Sequence, residues 1–202
     1  MKKALLSIFF GLLLHHSQAQ LEFDGGLKIG GITSQVAGDT YAGYNKIGVT
    51  GGGYVEVIFS DKNSFQLEVL YSQKGSRNKP NTKNGDFSYY KLVLNYIEIP
   101  VSYIYHRDKL AFEGGLYYGV LLNSSQDTGS GEVEVTPPYL NYDFGGQIGV
   151  SYDIITEKLA FVVVGSSSIL PTRKAPINAN PGLAFISGGF NAAITFSMEY
   201  TF

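Results

Sequence analysis

The sequence predicts an all-β chain, an eight-stranded antiparallel transmembrane β-barrel of the outer-membrane type. Three observations lead there. The first residues form a secretory leader, and nothing after them is apolar for long enough to cross a bilayer as a helix. Eight segments then alternate large apolar residues with small or polar ones, as strands with two different faces do. Finally, the connections between those segments alternate between short and long.

The leader is read first because it does not belong to the fold. Lys2 and Lys3 start it, Ala4 to Leu14 is its apolar run, and Ser17-Gln18-Ala19 is a small-x-small cleavage site. A spanning helix needs about 20 residues, so this run is too short for one. The reading divides the chain into a signal peptide, 1–19, and a barrel domain, 20–202, that starts at Gln20. Removing the leader takes two of the 15 basic residues and none of the 17 acidic ones, which leaves 13 − 17 = −4. That balance disfavours a nucleic-acid partner. The chain has no cysteine, so it leaves the cytoplasm without disulfides to stabilise it. It is rich in Tyr (15), Phe (13) and Gly (25).

The first strand, Leu21 to Ile32, sets Leu21, Phe23, Leu27 and Ile29 against Glu22, Asp24 and Lys28. In Ile47 to Phe59, valines 49, 55 and 57 oppose Thr50, Gly52, Tyr54 and Glu56. In Phe65 to Gln73, Phe65, Leu67, Val69 and Tyr71 oppose Gln66, Glu68 and Ser72. Ser88 to Tyr105 is apolar on Leu92, Leu94 and Tyr96, then on Ile97, Ile99, Val101 and Tyr103. This change of phase predicts a bulge near Tyr96-Ile97, and Pro100, which cannot donate to a ladder, predicts a local break. In Leu110 to Leu122, Phe112, Leu116, Tyr118 and Val120 oppose Glu113, Gly115 and Gly119. In Leu140 to Tyr152, Phe144, Ile148 and Val150 oppose Asn141, Asp143, Gln147 and Ser151. Leu159 to Leu170 begins apolar on both faces. Ile186 to Phe202 closes the set, with Ile194, Phe196, Met198 and Tyr200 against Thr195, Ser197 and Glu199.

Short turns are expected at Ser60–Ser64, His106–Lys109 and Asp153–Lys158. Longer polar loops are expected at Thr33–Lys46, Gly75–Phe87, Asn123–Pro137 and Pro171–Leu183. An even strand count with short periplasmic turns and longer outer loops describes barrels of the Gram-negative outer membrane. Phe59, Phe65, Tyr103, Tyr105, Tyr152, Phe161, Tyr200 and Phe202 then form a periplasmic aromatic girdle. The alternative is a soluble, lipocalin-like barrel with its large residues around a ligand.

Three segments resemble a known family: Gly26-Leu27-Lys28-Ile29-Gly30-Gly31, Glu68-Val69-Leu70-Tyr71-Ser72-Gln73-Lys74-Gly75, and Asn95-Tyr96-Ile97-Glu98-Ile99-Pro100-Val101. Together with the terminal Phe202 they look like the PorT-like outer-membrane β-barrel proteins. The resemblance implies an outer-membrane barrel and, for some members, a part in protein secretion across that membrane. It brings no catalytic residues.

Little in the chain points to chemistry. After the leader the one histidine is His106, expected in a solvated periplasmic turn, whereas a Ser-His-acid hydrolase of this architecture needs one near the outer rim. No His or Cys spacing fits a metal, so no cofactor and no enzymatic activity are expected. The glycine pairs, such as Gly145-Gly146 and Gly188-Gly189, are read as relief of crowding. The inward face is more informative. It is expected to carry Glu56, Glu68, Glu98, Glu113, Asp143 and Glu199, with Lys28 as the one clear cation. An eight-stranded barrel is just wide enough for side chains to fill it, so these groups are expected to form a polar plug with Tyr54, Asn141, Gln147, Ser and Thr. A narrow cation-favouring lumen is the sharper reading. The expected partners are outer-membrane lipid and secretion or other envelope proteins, met by a monomer. A small passive channel and a ligand-binding barrel remain as alternatives.

Overall fold

The computed structural model describes residues 21–39, 41, 43–85, 87–133, 135, 138–173 and 189–202. The expected leader, 1–19, lies outside the described residues, as do residues 186–188 of the expected last strand.

Eight long strands form the barrel: β1 (Glu22–Ala37), β2 (Lys46–Ser60), β3 (Asn63–Asn78), β4 (Tyr90–Arg107), β5 (Leu110–Asp127), β7 (Tyr142–Ile155), β8 (Leu159–Ser168) and β9 (Phe190–Thr201). A two-residue strand, β6 (Glu132–Val133), pairs only with the outer end of β5. Every neighbouring pair is antiparallel. The ring closes where β1 meets β9, with Lys28 opposite Glu199 and Ile29 opposite Met198. Closure pairs the backbone groups of each barrel strand with its neighbours, which a chain without disulfides in a lipid environment requires.

The alternating faces sit as the pattern implies. Lys28, Glu68, Ser72 and Ser102 are buried in the interior, while Ile29, Ile47 and Ile148, each more than 70% exposed, stand on the outside. Large aliphatic side chains that project from nearly every strand make sense only if the surroundings are apolar. At the lower edge of this belt Phe59, Phe65 and Tyr103 form a ring cluster with centroids 5.5 to 6.4 Å apart, and Tyr200 packs on Phe202 at 6.2 Å. The turns beside them are tight. Asp108 and Glu157 take positive φ (54° and 60°) to reverse the chain in two and three residues.

Three strands are longer than expected. β1 runs on to Ala37, β3 to Asn78 and β5 to Asp127, where loops were expected from Thr33, Gly75 and Asn123. Above the bilayer the outer face of a strand meets water, so outward apolar residues no longer mark the strand while the ladder continues. The expected bulge in β4 is also relocated. β4 alternates without interruption, with Tyr90, Leu92, Leu94, Tyr96, Glu98 and Ser102 all buried. The extra residue lies on its partner, since Asn95 pairs with Asn123 but Tyr96 with Leu121, so that Leu122 is looped out. What changes phase in β4 is chemistry. Below Tyr96 the apolar residues face lipid, and from Tyr96 upward they turn into the barrel. Pro100 does break a ladder. The β3–β4 pairing passes from Leu67–Val101 to Leu70–Glu98 with no pair between.

Candidate functional site: the barrel interior and its two mouths

The interior is built in layers. The lowest lies at the periplasmic mouth, where Glu56, Ser64 and His106 meet. His106 belongs to β4 rather than to a turn, and its side chain is 38% exposed. Its Nε2 lies 3.0 Å from Glu56 Oε1 and 2.9 Å from Ser64 Oγ, and Ser64 Oγ also donates to Glu56. Ser64 is fully buried. In a hydrolytic triad the serine and the acid engage opposite ring nitrogens. Here both converge on one, so the contacts orient the imidazole and do not relay a proton to Ser64. Around them a vestibule of about 290 Å³ opens to the periplasm, lined by Asp24, Asp61, Asp108, Glu113, Asp153 and Glu157, with Lys158 as the lysine on its wall.

The next layer is centred on Lys28. Its amine donates to Glu68 Oε2 at 2.8 Å and lies 2.7 Å from Glu199 Oε1, which also accepts from Gln66 Nε2 at 3.0 Å. Tyr54 reaches Thr201 at 2.7 Å, and Gln147 donates to Ser102 at 3.0 Å and to Glu113 at 3.4 Å. Above it Lys74 holds a second network. Its amine pairs with Glu98, lies 3.4 Å from Asp143 Oδ2 and sits 4.3 Å over the Tyr117 ring. Asp143 also accepts from Ser168 (2.7 Å), Asn191 (2.9 Å) and Tyr117 (3.3 Å). The void between the two layers is about 30 Å³, enough for a water or two and not for a file of hydrated ions.

The top layer is apolar. Val36, Tyr90, Leu92, Leu94, Tyr96, Val135 and Tyr139 form one buried cluster, with Tyr41 stacked on Tyr90 at 4.7 Å. At this extracellular end burial pushes the carboxyl of Asp39 and the hydroxyl of Tyr139 above their ordinary ranges.

The structure thus places all seven sequence-derived interior residues inside the barrel, and divides them. Lys28, Glu68 and Glu199 form one network with Glu113 at its edge. Glu98 and Asp143 belong to another, and Glu56 to the periplasmic mouth. Two expectations are corrected. Lys28 is not the one inward cation, because Lys74 is equally buried. Asn141 takes no part in the plug: it precedes β7 and is exposed, and its carbonyl accepts from Leu121. Lys74 escaped notice because it lies just past the last apolar residue of its strand, where the next polar residues read as loop. Glycines make room for this filling. A Cβ on Gly26 would come within 2.6 Å of the Tyr54 ring, and one on Gly145 within 2.4 Å of the Tyr117 ring. Among the described residues no group of His, Cys, Asp and Glu is arranged to hold a metal ion.

A family sequence model described as "Outer membrane protein beta-barrel domain" matches residues 15–172, well over half of the chain. The chain belongs to that family. It is an outer-membrane β-barrel protein. A search of curated proteins gave no match. Two similar solved structures are Ail, the attachment invasion locus protein of Yersinia pestis, and Neisserial surface protein A. The Ail match has TM-score 0.52 and 11% identity, over 90% of this chain and 99% of that one. The Neisserial match has TM-score 0.50 and 11% identity over the same shares. At such identity the likeness shows the shared eight-stranded fold alone. The exposed aliphatic belt is therefore the surface that meets outer-membrane lipid.

Proposed function

We propose that this barrel is a structural and interaction protein of the outer membrane, an accessory to protein secretion, that works through its two rims and not through its lumen. The observation that carries the reading is the interior. Two lysine-centred networks and an apolar layer of Leu92, Leu94 and Tyr96 occupy successive heights, with about 30 Å³ of void between the networks. A filled barrel conducts nothing and leaves the mouths as the surfaces for contact. The link to secretion rests on the PorT-like resemblance of Glu68–Gly75 and Asn95–Val101. On this reading the protein is a monomer and no enzyme, and its partners are other envelope proteins. The acidic vestibule favours one second reading, a narrow cation path.

Site-specific photo-crosslinking in cells tests the proposal. Crosslinkers at Asp108 in a periplasmic turn and at Gly131 in an outer loop are expected to capture secretion or other envelope proteins, while one at lipid-facing Val101 captures none. Capture at Val101 alone, or at neither rim, contradicts it.

A further inference from the structure

Arg77 and Lys91 meet at the extracellular end of β3 and β4. Arg77 and Lys91 are direct cross-strand partners on the outer face. Like charges in that relation repel. Among the described residues the buried Nε of Arg77 has no hydrogen-bond partner. Among the described residues the carboxylate beside the pair is Asp127 on β5, which lies directly opposite Lys91 and accepts from the Gly129 amide at 2.8 Å. Among the described residues the pair therefore keeps an excess of positive charge over Asp127.

Its height identifies what could balance it. On the outer face the unbroken apolar run ends at Tyr71 on β3 and at Ile97 on β4, with Val93 as one further apolar residue above it. A polar band follows, in which Tyr71 donates to Asn95 at 2.9 Å. Arg77 is four residues beyond Gln73, about 13 Å along the strand and about 10 Å higher once the strand tilt is included. The headgroup layer is about 5–8 Å deep on each side of a bilayer. An arginine or lysine side chain bending down spans the difference.

We propose that Arg77 and Lys91 form a seat for the phosphate of an anionic lipid headgroup in the outer leaflet, with the guanidinium as the bidentate donor and the Lys91 amine as a point charge. Lipid, not a soluble anion, is the source, because Arg77 and Lys91 are on the membrane-facing side of the strands.

The test uses the purified protein in phosphatidylcholine nanodiscs that hold a minor fraction of phosphatidylglycerol or of diphosphoryl lipid A, with retained lipid counted by native mass spectrometry. The wild type is expected to retain the anionic lipid in preference to phosphatidylcholine. The Arg77→Gln/Lys91→Gln double variant is expected to lose about tenfold or more of that preference. The charge-keeping Arg77→Lys/Lys91→Arg pair should retain most of it, and Lys62→Gln/Lys109→Gln, at the periplasmic turns, should leave it unchanged. The migration of unheated samples in detergent gels verifies folding of each variant. Equal retention by wild type and Arg77→Gln/Lys91→Gln overturns the site. Displacement of the lipid by inorganic phosphate at millimolar concentration overturns the lipid assignment in favour of a free anion.

Discussion

Lys74 shows what one residue contributes here. Its ammonium is enclosed by Glu98, Asp143 and the Tyr117 ring. Desolvating such a charge is costly unless its partners stay in place, so removing it alone leaves two buried carboxylates uncompensated. Lys74→Met is expected to destabilise the barrel by about 3–5 kcal/mol in urea titrations in lipid vesicles. Neutralising the partners as well, in Lys74→Met/Glu98→Gln/Asp143→Asn, should return much of that loss. A Lys74→Met effect below about 1 kcal/mol would mean that the network is hydrated rather than sealed. Two glycines make a matched pair. At Gly145 a methyl meets the Tyr117 ring and the Ser167 carbonyl, whereas Gly114, on the outer face, has nothing within 4 Å of a Cβ. Gly145→Ala should therefore cost about 1–3 kcal/mol by the same titration, and Gly114→Ala should be neutral or slightly stabilising. The acids of the interior were legible residue by residue, since parity along a strand is enough to turn Glu68 and Asp143 inward. Which cation each would find was not, because that depends on strand register around a closed ring.

At the scale of the element, β4 carries both environments on one unbroken strand. Its lower half shows lipid Ile97, Ile99, Val101 and Tyr103, and its upper half turns Leu92, Leu94 and Tyr96 into the core. The sequence recorded the change as a slip of phase, which a strand can produce either by a bulge or by a change of surroundings. Periodicity alone cannot separate the two. The same limit hid the outer thirds of β1, β3 and β5, where ladder pairing persists and hydropathy no longer reports it. Two substitutions read the two halves separately. Val101→Arg, near the middle of the lipid belt, is expected to cost about 2–4 kcal/mol when refolding in vesicles is measured. Leu94→Ala, buried in the upper cluster, is expected to cost about 2–5 kcal/mol, in vesicles and in detergent alike, because its neighbours are protein and not lipid. A Leu94→Ala penalty that depended on the bilayer would place that residue against lipid and reverse the account of β4.

For the molecule as a whole, closure supplies what disulfides do not, and filling follows from closure at this strand number. The strand count, the alternation of turns and loops and the membrane location were all readable before any coordinates, because lipid imposes strict rules on spanning strands. The order of layers inside was not, since Val36, Tyr96 and Tyr139 meet only once β1, β4 and the segment after β6 come round to the same height. The vestibule at one end and the basic group at the other leave a barrel with chemistry at its rims and a sealed middle. Planar-bilayer recording tests that middle most directly. With the purified protein inserted at high salt, the membrane should stay at its baseline conductance across the voltage range. Reproducible single-channel steps from the wild-type barrel, abolished by boiling the sample, would contradict a sealed interior.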